Sequence, residues 1–131
     1  MYRLLFVCIE NSSRSQMAEA FARMHGSADM EAASAGSKPS GKINSRAIAV
    51  MQERGYDLTR HVSKRLDKIG AEPWDYIITM GCGDACPWLP AKHHENWDLP
   101  DPNKLSLEEF KELRDNIEKR VWGLLARLNK D

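Results

Sequence analysis

Apolar and polar positions along this chain switch between two periods, and the switching predicts strands alternating with helices. Leu4-Leu5-Phe6-Val7 is a continuous apolar run of strand length, as expected for a strand covered on both faces. It ends in Cys8 and a short polar loop, after which Met17, Ala20, Phe21 and Met24 recur at helical spacing. A first helix is expected over Ser15–His25, with Gly26 as its stop. Met30–Ser34 reads as a short, alanine-rich strand, and the following stretch to Gly41 is a loop by its Ser, Gly and Pro content. Asn44 is placed to cap a second helix carrying Ala47, Ile48 and Met51, which Gly55 ends. Tyr56–Asp67 is polar and irregular, with one short helix expected near Lys64–Ile69.

Asp75–Met80 is the second clear core strand, β-branched and aromatic between Pro73 and Gly81; His93–Trp97 is a weaker fourth. The last helix is the best specified. Ser106 and Glu109 form a capping box, flanked by a Leu105–Phe110 staple. Phe110, Leu113, Ile117, Val121, Leu124 and Leu128 then make one apolar stripe, which reads as core.

Strands alternating with helices imply an α/β fold: a four-stranded parallel sheet with helices on both faces, as a single domain over residues 1–131. Ligands of such sheets bind beyond the carboxyl ends of the strands. The loops after Cys8, from Gly81 to Pro90 and from Leu99 to Asn103 should therefore share one crevice.

Charge removes several classes of partner. Lys plus Arg and Asp plus Glu both number 19, so no net field favours nucleic acid or an acidic membrane surface. No apolar run is long enough to span a bilayer, and the chain enters its first strand without a secretion signal. A cytoplasmic monomer is expected. Three cysteines are an odd number, poor for a static disulfide framework and ordinary in a reducing compartment.

The chemistry concentrates in Cys8-Ile9-Glu10-Asn11-Ser12-Ser13-Arg14-Ser15. A loop between a strand and a helix directs backbone N–H groups and the positive helix end at one point. The guanidinium of Arg14 returns to that point and can grip an oxyanion through paired hydrogen bonds. The same charges favour thiolate over thiol at Cys8, making it a nucleophile beneath a tetrahedral anion. The bland alternative, a buried cysteine closing a core strand, does not explain the cysteine, five residues, arginine, serine spacing.

Cys82 and Cys86 stand in a glycine-containing stretch, and their three-residue spacing leaves two readings. A zinc site would need two histidines besides, but His93 and His94 are neighbours in a strand and point to opposite faces, while His25 and His61 read as surface residues. The other reading is a thiol relay.

Cys8 to Ala20 resembles the oxyanion loop and first helix of the low-molecular-weight protein tyrosine phosphatase fold, and Arg14-Ser15-Gln16-Met17-Ala18-Glu19 resembles the arsenate reductases built on it. Ser34-Ala35-Gly36 matches a motif after the second strand of that family, and the resemblance spans nearly the whole chain. It implies an oxyanion cup of Glu10, Asn11, Ser12, Ser13, Arg14 and Ser15, with Asn11 fixing loop geometry and Ser15 stabilising the Cys8 thiolate. It also implies a general acid at Asp101, within Asp101-Pro102; Asp98 is a weaker candidate, and a plain Asp-Pro turn is the bland reading.

The resemblance further implies that Cys8, Cys82 and Cys86 pass a disulfide along, turning arsenate into arsenite. Thioredoxin, or glutaredoxin with glutathione, would then restore the thiols, and no metal or organic cofactor is required.

Four departures bear on this. Glu10 replaces a small loop residue and should face solvent. Ser13 stands where some relatives carry a further cysteine. Asn103 follows Pro102 where the phosphatases carry tyrosine. Some relatives bind potassium through a threonine and an aspartate after a histidine, but here Val62, Ser63 and Lys64 follow His61; Lys64 either supplies that charge or is simply solvated. Two rivals remain: a phosphatase using Cys8, Arg14 and Asp101, and a non-catalytic protein binding arsenite through three thiols.

Overall fold

A computed structural model describes residues 2–69, 73–81 and 88–128. Four parallel strands, β1 (Tyr2–Cys8), β2 (Met30–Gly36), β3 (Trp74–Thr79) and β4 (Ala91–Asn96), lie in the order β2-β1-β3-β4. Three α-helices accompany them: α1 (Arg14–His25), α2 (Ser45–Gln52) and α3 (Leu107–Leu128). The four-stranded parallel sheet of an α/β fold is as expected; among the described residues the three α-helices pack on one of its faces and a 3-10 turn on the other.

The unbroken apolar run in β1 follows from its central place in the sheet. Leu4, Phe6 and Cys8 point into a large core shared with α1, α2 and α3, whereas Leu5 and Val7 point the other way, into a smaller core with Trp74 and Ile77. A 3-10 turn at Leu66–Lys68 brings Leu66 onto that second face, and Leu89 and Ala91 join it. The β4 strand lies at the sheet edge and is mostly exposed, which accounts for its weak apolar signal.

Capping behaves as the residue types dictate. The Asn44 side chain accepts from the amides of Arg46 and Ala47. Ser106 and Glu109 bond reciprocally, at 3.0 and 3.2 Å, as a capping box. The stripe of α3 is buried throughout, from Phe110 to Leu128. Two adjustments stand out. The β2 strand runs two residues past Ser34, and a further 3-10 turn at Leu58–Arg60 lies in the stretch read as irregular.

Register brings the functional ends together. Cys8 pairs with Gly36 and Val7 with Thr79, and the amide of Met80 donates to Val7. The carboxyl ends of β1, β2 and β3 are therefore level, and the loops after them meet above β1.

Candidate active site

The loop after Cys8 is held from behind. The carbonyls of Ile9, Glu10 and Ser12 accept from the amides of Lys38, Ser40 and Asn44, at 2.8, 3.1 and 2.9 Å. Gly36 permits this packing, since a Cβ there would lie 2.5 Å from the Ile9 carbonyl. With the carbonyls engaged outward, the N–H groups of residues 10–14 have no acceptor among the described residues. Asn11 takes the left-handed conformation, φ 51°, one that asparagine tolerates better than most residues.

Cys8, Ile9, Glu10, Ser12, Ser13 and Arg14 line one side of a cavity of about 160 Å³, and Asp101, Pro102 and Asn103 line the other. That volume is small beside the roughly 300–1,000 Å³ of most organic-ligand sites. Ser13 is the N-cap residue of α1, yet its hydroxyl caps nothing. Among the described residues its Oγ and the Nε of Arg14, both buried, have no hydrogen-bond partner. Buried donors are rarely left unpaired, and those two belong to adjacent residues of the cavity wall.

A chain of hydrogen bonds runs from Cys8 into the protein. Cys8 Sγ lies 2.9 Å from Ser15 Oγ, which accepts from Asn11 Nδ2 at 2.8 Å. The hydroxyl proton of Ser15 is thereby free to point at sulfur, the arrangement that stabilises a thiolate. Asn11 Oδ1 accepts from Gln16 Nε2 and from the amide of Lys64, both at 2.9 Å. Gln16 Nε2 also reaches the carbonyls of Asn11 and Val62, at 3.0 Å each. With its nitrogen among three oxygens, Gln16 turns its Oε1 to His61 Nδ1 at 2.9 Å, so Nδ1 carries the ring proton. The phenol of Tyr56 then donates to His61 Nε2 at 2.6 Å.

His61 is thus not the surface residue its sequence context suggested; its side chain is 6% exposed. Desolvation holds its pKa below the ordinary value, the neighbouring Glu19 opposing the shift. Glu19 is itself buried, bonded to Ser34 and Arg23 at 2.6 and 2.8 Å. The Lys64 ammonium stands 4.0 Å from Glu19, half-buried rather than freely solvated, and burial lowers its pKa. His25 is also no plain surface group: it stacks between Phe21 and Trp122 and meets Glu118 at 2.9 Å.

Arg14 turns back across the cavity toward the loop after β4, its Nη1 3.4 Å from the Leu99 carbonyl. Asp101 is exposed, and its carboxylate accepts from the amide of Asn103 at 3.0 Å, capping the 3-10 turn Pro102–Lys104. The structure therefore brings Cys8, Glu10, Ser12, Ser13, Arg14 and Asp101 onto one cavity, with Asn11 and Ser15 buried behind it. Glu10 is exposed, as its charge requires. Asp98 is exposed and does not line the cavity. Cys82 and Cys86 lie outside the described residues. His93 and His94 stack on Tyr76 and Trp88 respectively, consistent with opposite faces of β4. Sequence reasoning missed Gln16 and His61 as parts of the site; a glutamine in the first turn of a helix is ordinary until its partners are known.

The family model of the low molecular weight phosphotyrosine protein phosphatases matches residues 3–85 and 84–131. The glutaredoxin arsenate reductase of Synechocystis is 36% identical over 132 residues, covering 98% of this chain and all of the relative. A solved arsenate reductase in its oxidized state superposes with a TM-score of 0.87 at 37% identity, over 97% of this chain and 98% of that one. The thioredoxin-dependent arsenate reductase of Corynebacterium glutamicum gives 0.81 at 34% identity, over 98% of this chain and 62% of the other. The chain belongs to the low molecular weight phosphotyrosine protein phosphatase family, among its arsenate reductases.

Proposed function

We propose that this protein reduces arsenate to arsenite in the cytoplasm as a single-domain monomer, through a relay of Cys8, Cys82 and Cys86. The observation that carries the first step is the cavity itself. A thiol bonded to Ser15 sits beneath a loop with free amides and beside Arg14, in a space suited to a small inorganic anion. The amides of residues 10–14 and the guanidinium bind arsenate, while the Cys8 thiolate attacks arsenic. Asp101, across the same cavity, protonates the departing oxygen, which leaves as water.

The second step requires a thiol at the Cys8–arsenic adduct. Gly81, directly before Cys82 in the sequence, lies against Arg14, which supports Cys82 as that thiol. The Cys82 thiolate attacks the Cys8 sulfur. A sulfur–sulfur bond forms, the sulfur–arsenic bond breaks, and its electron pair stays on arsenic, which leaves in the trivalent state. Cys86 then attacks Cys82, freeing the Cys8 thiolate and leaving a Cys82–Cys86 disulfide. An external dithiol takes up that oxidation. The names of the relatives offer both thioredoxin and glutaredoxin, and thioredoxin is the reductant to test first. A chemistry that consumes thiols belongs in a reducing compartment. Among the described residues no helix is long and apolar enough to cross a membrane. No cofactor enters any step, and nucleic acid has no place in the reading.

The test is NADPH consumption with arsenate, thioredoxin and thioredoxin reductase, comparing the native protein with Cys86→Ser. Sustained turnover that the substitution abolishes supports the relay. Hydrolysis of an aryl phosphate, unaffected by Cys86→Ser and without arsenate-dependent NADPH use, overturns it in favour of a phosphatase. If thioredoxin fails, glutaredoxin with glutathione is the second donor to supply.

A further inference from the structure

Arg14 is held by the loop after β3 as well as by its own helix. Gly81 has φ +81°, a left-handed conformation that disfavours a side chain on steric grounds. A Cβ at this position would lie 2.2 Å from Arg14 Nη1, 3.2 Å from Cζ and 3.5 Å from the Leu99 carbonyl. The first distance is below any real contact between such atoms. The guanidinium therefore occupies the space a side chain at position 81 would fill, while its Nη1 points to Leu99. Arg14 Nε, buried and without a partner among the described residues, shows that the guanidinium does not take this place to satisfy all its own donors.

We propose that Gly81 is a positioning residue for Arg14: its missing side chain and the Leu99 carbonyl form the cradle that sets the guanidinium over the anion cup. The inference rests on the oxyanion-binding role proposed for Arg14. It adds a requirement that lies far from the Cys8–Ser15 loop in sequence. A side chain at position 81 meets the free end of a long, flexible arginine, not a fixed backbone. Relief of that contact comes by expelling the guanidinium, so this part of the damage falls on anion binding, separate from the strain any side chain meets in the left-handed backbone. In the sequence Cys82 follows Gly81 directly, so the residue proposed to position the anion-binding arginine and the thiol proposed to resolve the adduct are consecutive.

Titration calorimetry with inorganic phosphate tests this without arsenate, reductant or turnover, so its failure is separable from failure of the relay. Gly81→Ala and Gly81→Asn are compared with the native protein, each with a thermal melt. Asparagine accepts a left-handed backbone far better than alanine but carries the same Cβ. The expected result is a folded Gly81→Ala binding phosphate about tenfold or more weakly, with Gly81→Asn equally weak despite a higher melting midpoint. Native-like phosphate affinity in Gly81→Ala overturns the proposal. So does recovery of affinity in Gly81→Asn, or a failure of both variants to fold, because each places the cost in backbone strain.

Discussion

On one side of the cavity Ser13 is buried in the wall and Asn11 and Ser15 behind it, the latter two tied through Gln16 to His61 and Tyr56. On the facing wall, Asp101 and Asn103 are exposed, and the carboxylate of Asp101 is engaged by a neighbouring amide two residues on. The first wall is fixed by long-range contacts, the second by a local turn. A receptor for a tetrahedral anion needs several donors held in place at once, which calls for rigidity. A proton donor needs one oxygen within reach and exchange with solvent, for which a self-capped turn suffices. The two walls should therefore respond differently to substitution.

The largest effect is expected at the hub of the rigid wall. Asn11→Ala removes bonds to Ser15, Gln16 and Lys64 together and leaves alanine in a left-handed conformation. A stability loss of about 3 kcal/mol and a fall in activity of about 100-fold or more should appear together, by urea titration and steady-state arsenate reduction. On the facing wall Asp101→Asn separates the two quantities. Asparagine caps the turn as well as aspartate, so stability should stay within about 0.5 kcal/mol while kcat falls about 100-fold. Parallel losses at Asp101 would erase the contrast.

Acid should act on the rigid wall first. His61 is held neutral, its pKa depressed from 6.5 by burial. Below that value the unfolded chain binds the proton more readily than the folded one, so this contribution to stability is present above pH 6.5 and lost as pH falls. The difference in urea midpoint between about pH 7.5 and pH 5 should shrink in His61→Gln, which lacks the titrating ring. The smallest effect is a control that lines neither wall. Ser106→Ala breaks the capping box of α3 and should cost about 1 kcal/mol without changing turnover.

The same contrast governs what the sequence discloses. The β1 strand, α1 and α3 are legible because burial imposes a period on many consecutive positions, and the Cys8–Arg14 loop because its chemistry is compressed into one short stretch. The site is less legible wherever it is assembled from a distance. Gln16 and His61 are 45 positions apart and meet only through the fold. Leu58–Arg60 turns within three residues, too short for any period. Gly81 reads as a loop residue, and its bearing on Arg14 arises only in the folded chain. Asp101 stands out only through family likeness; an exposed aspartate before proline carries no signal of its own.

The outward carbonyls of Ile9, Glu10 and Ser12 have one more consequence, for how such a fold can change over generations. The amides they engage come from Lys38, Ser40 and Asn44. The Ser63 hydroxyl adds a bond to the Glu10 carbonyl, and the Lys64 amide holds Asn11, so the loop is braced within the first half of the chain. Asp101, proposed as the proton donor, and the thiols proposed for the relay, Cys82 and Cys86, come from later segments. Gly81 and Leu99 apart, mutation can rewrite those later segments without disturbing the brace or the guanidinium of Arg14. A lineage with this architecture inherits the capture of an anion as a fixed trait, and the fate of the captured anion as a variable one.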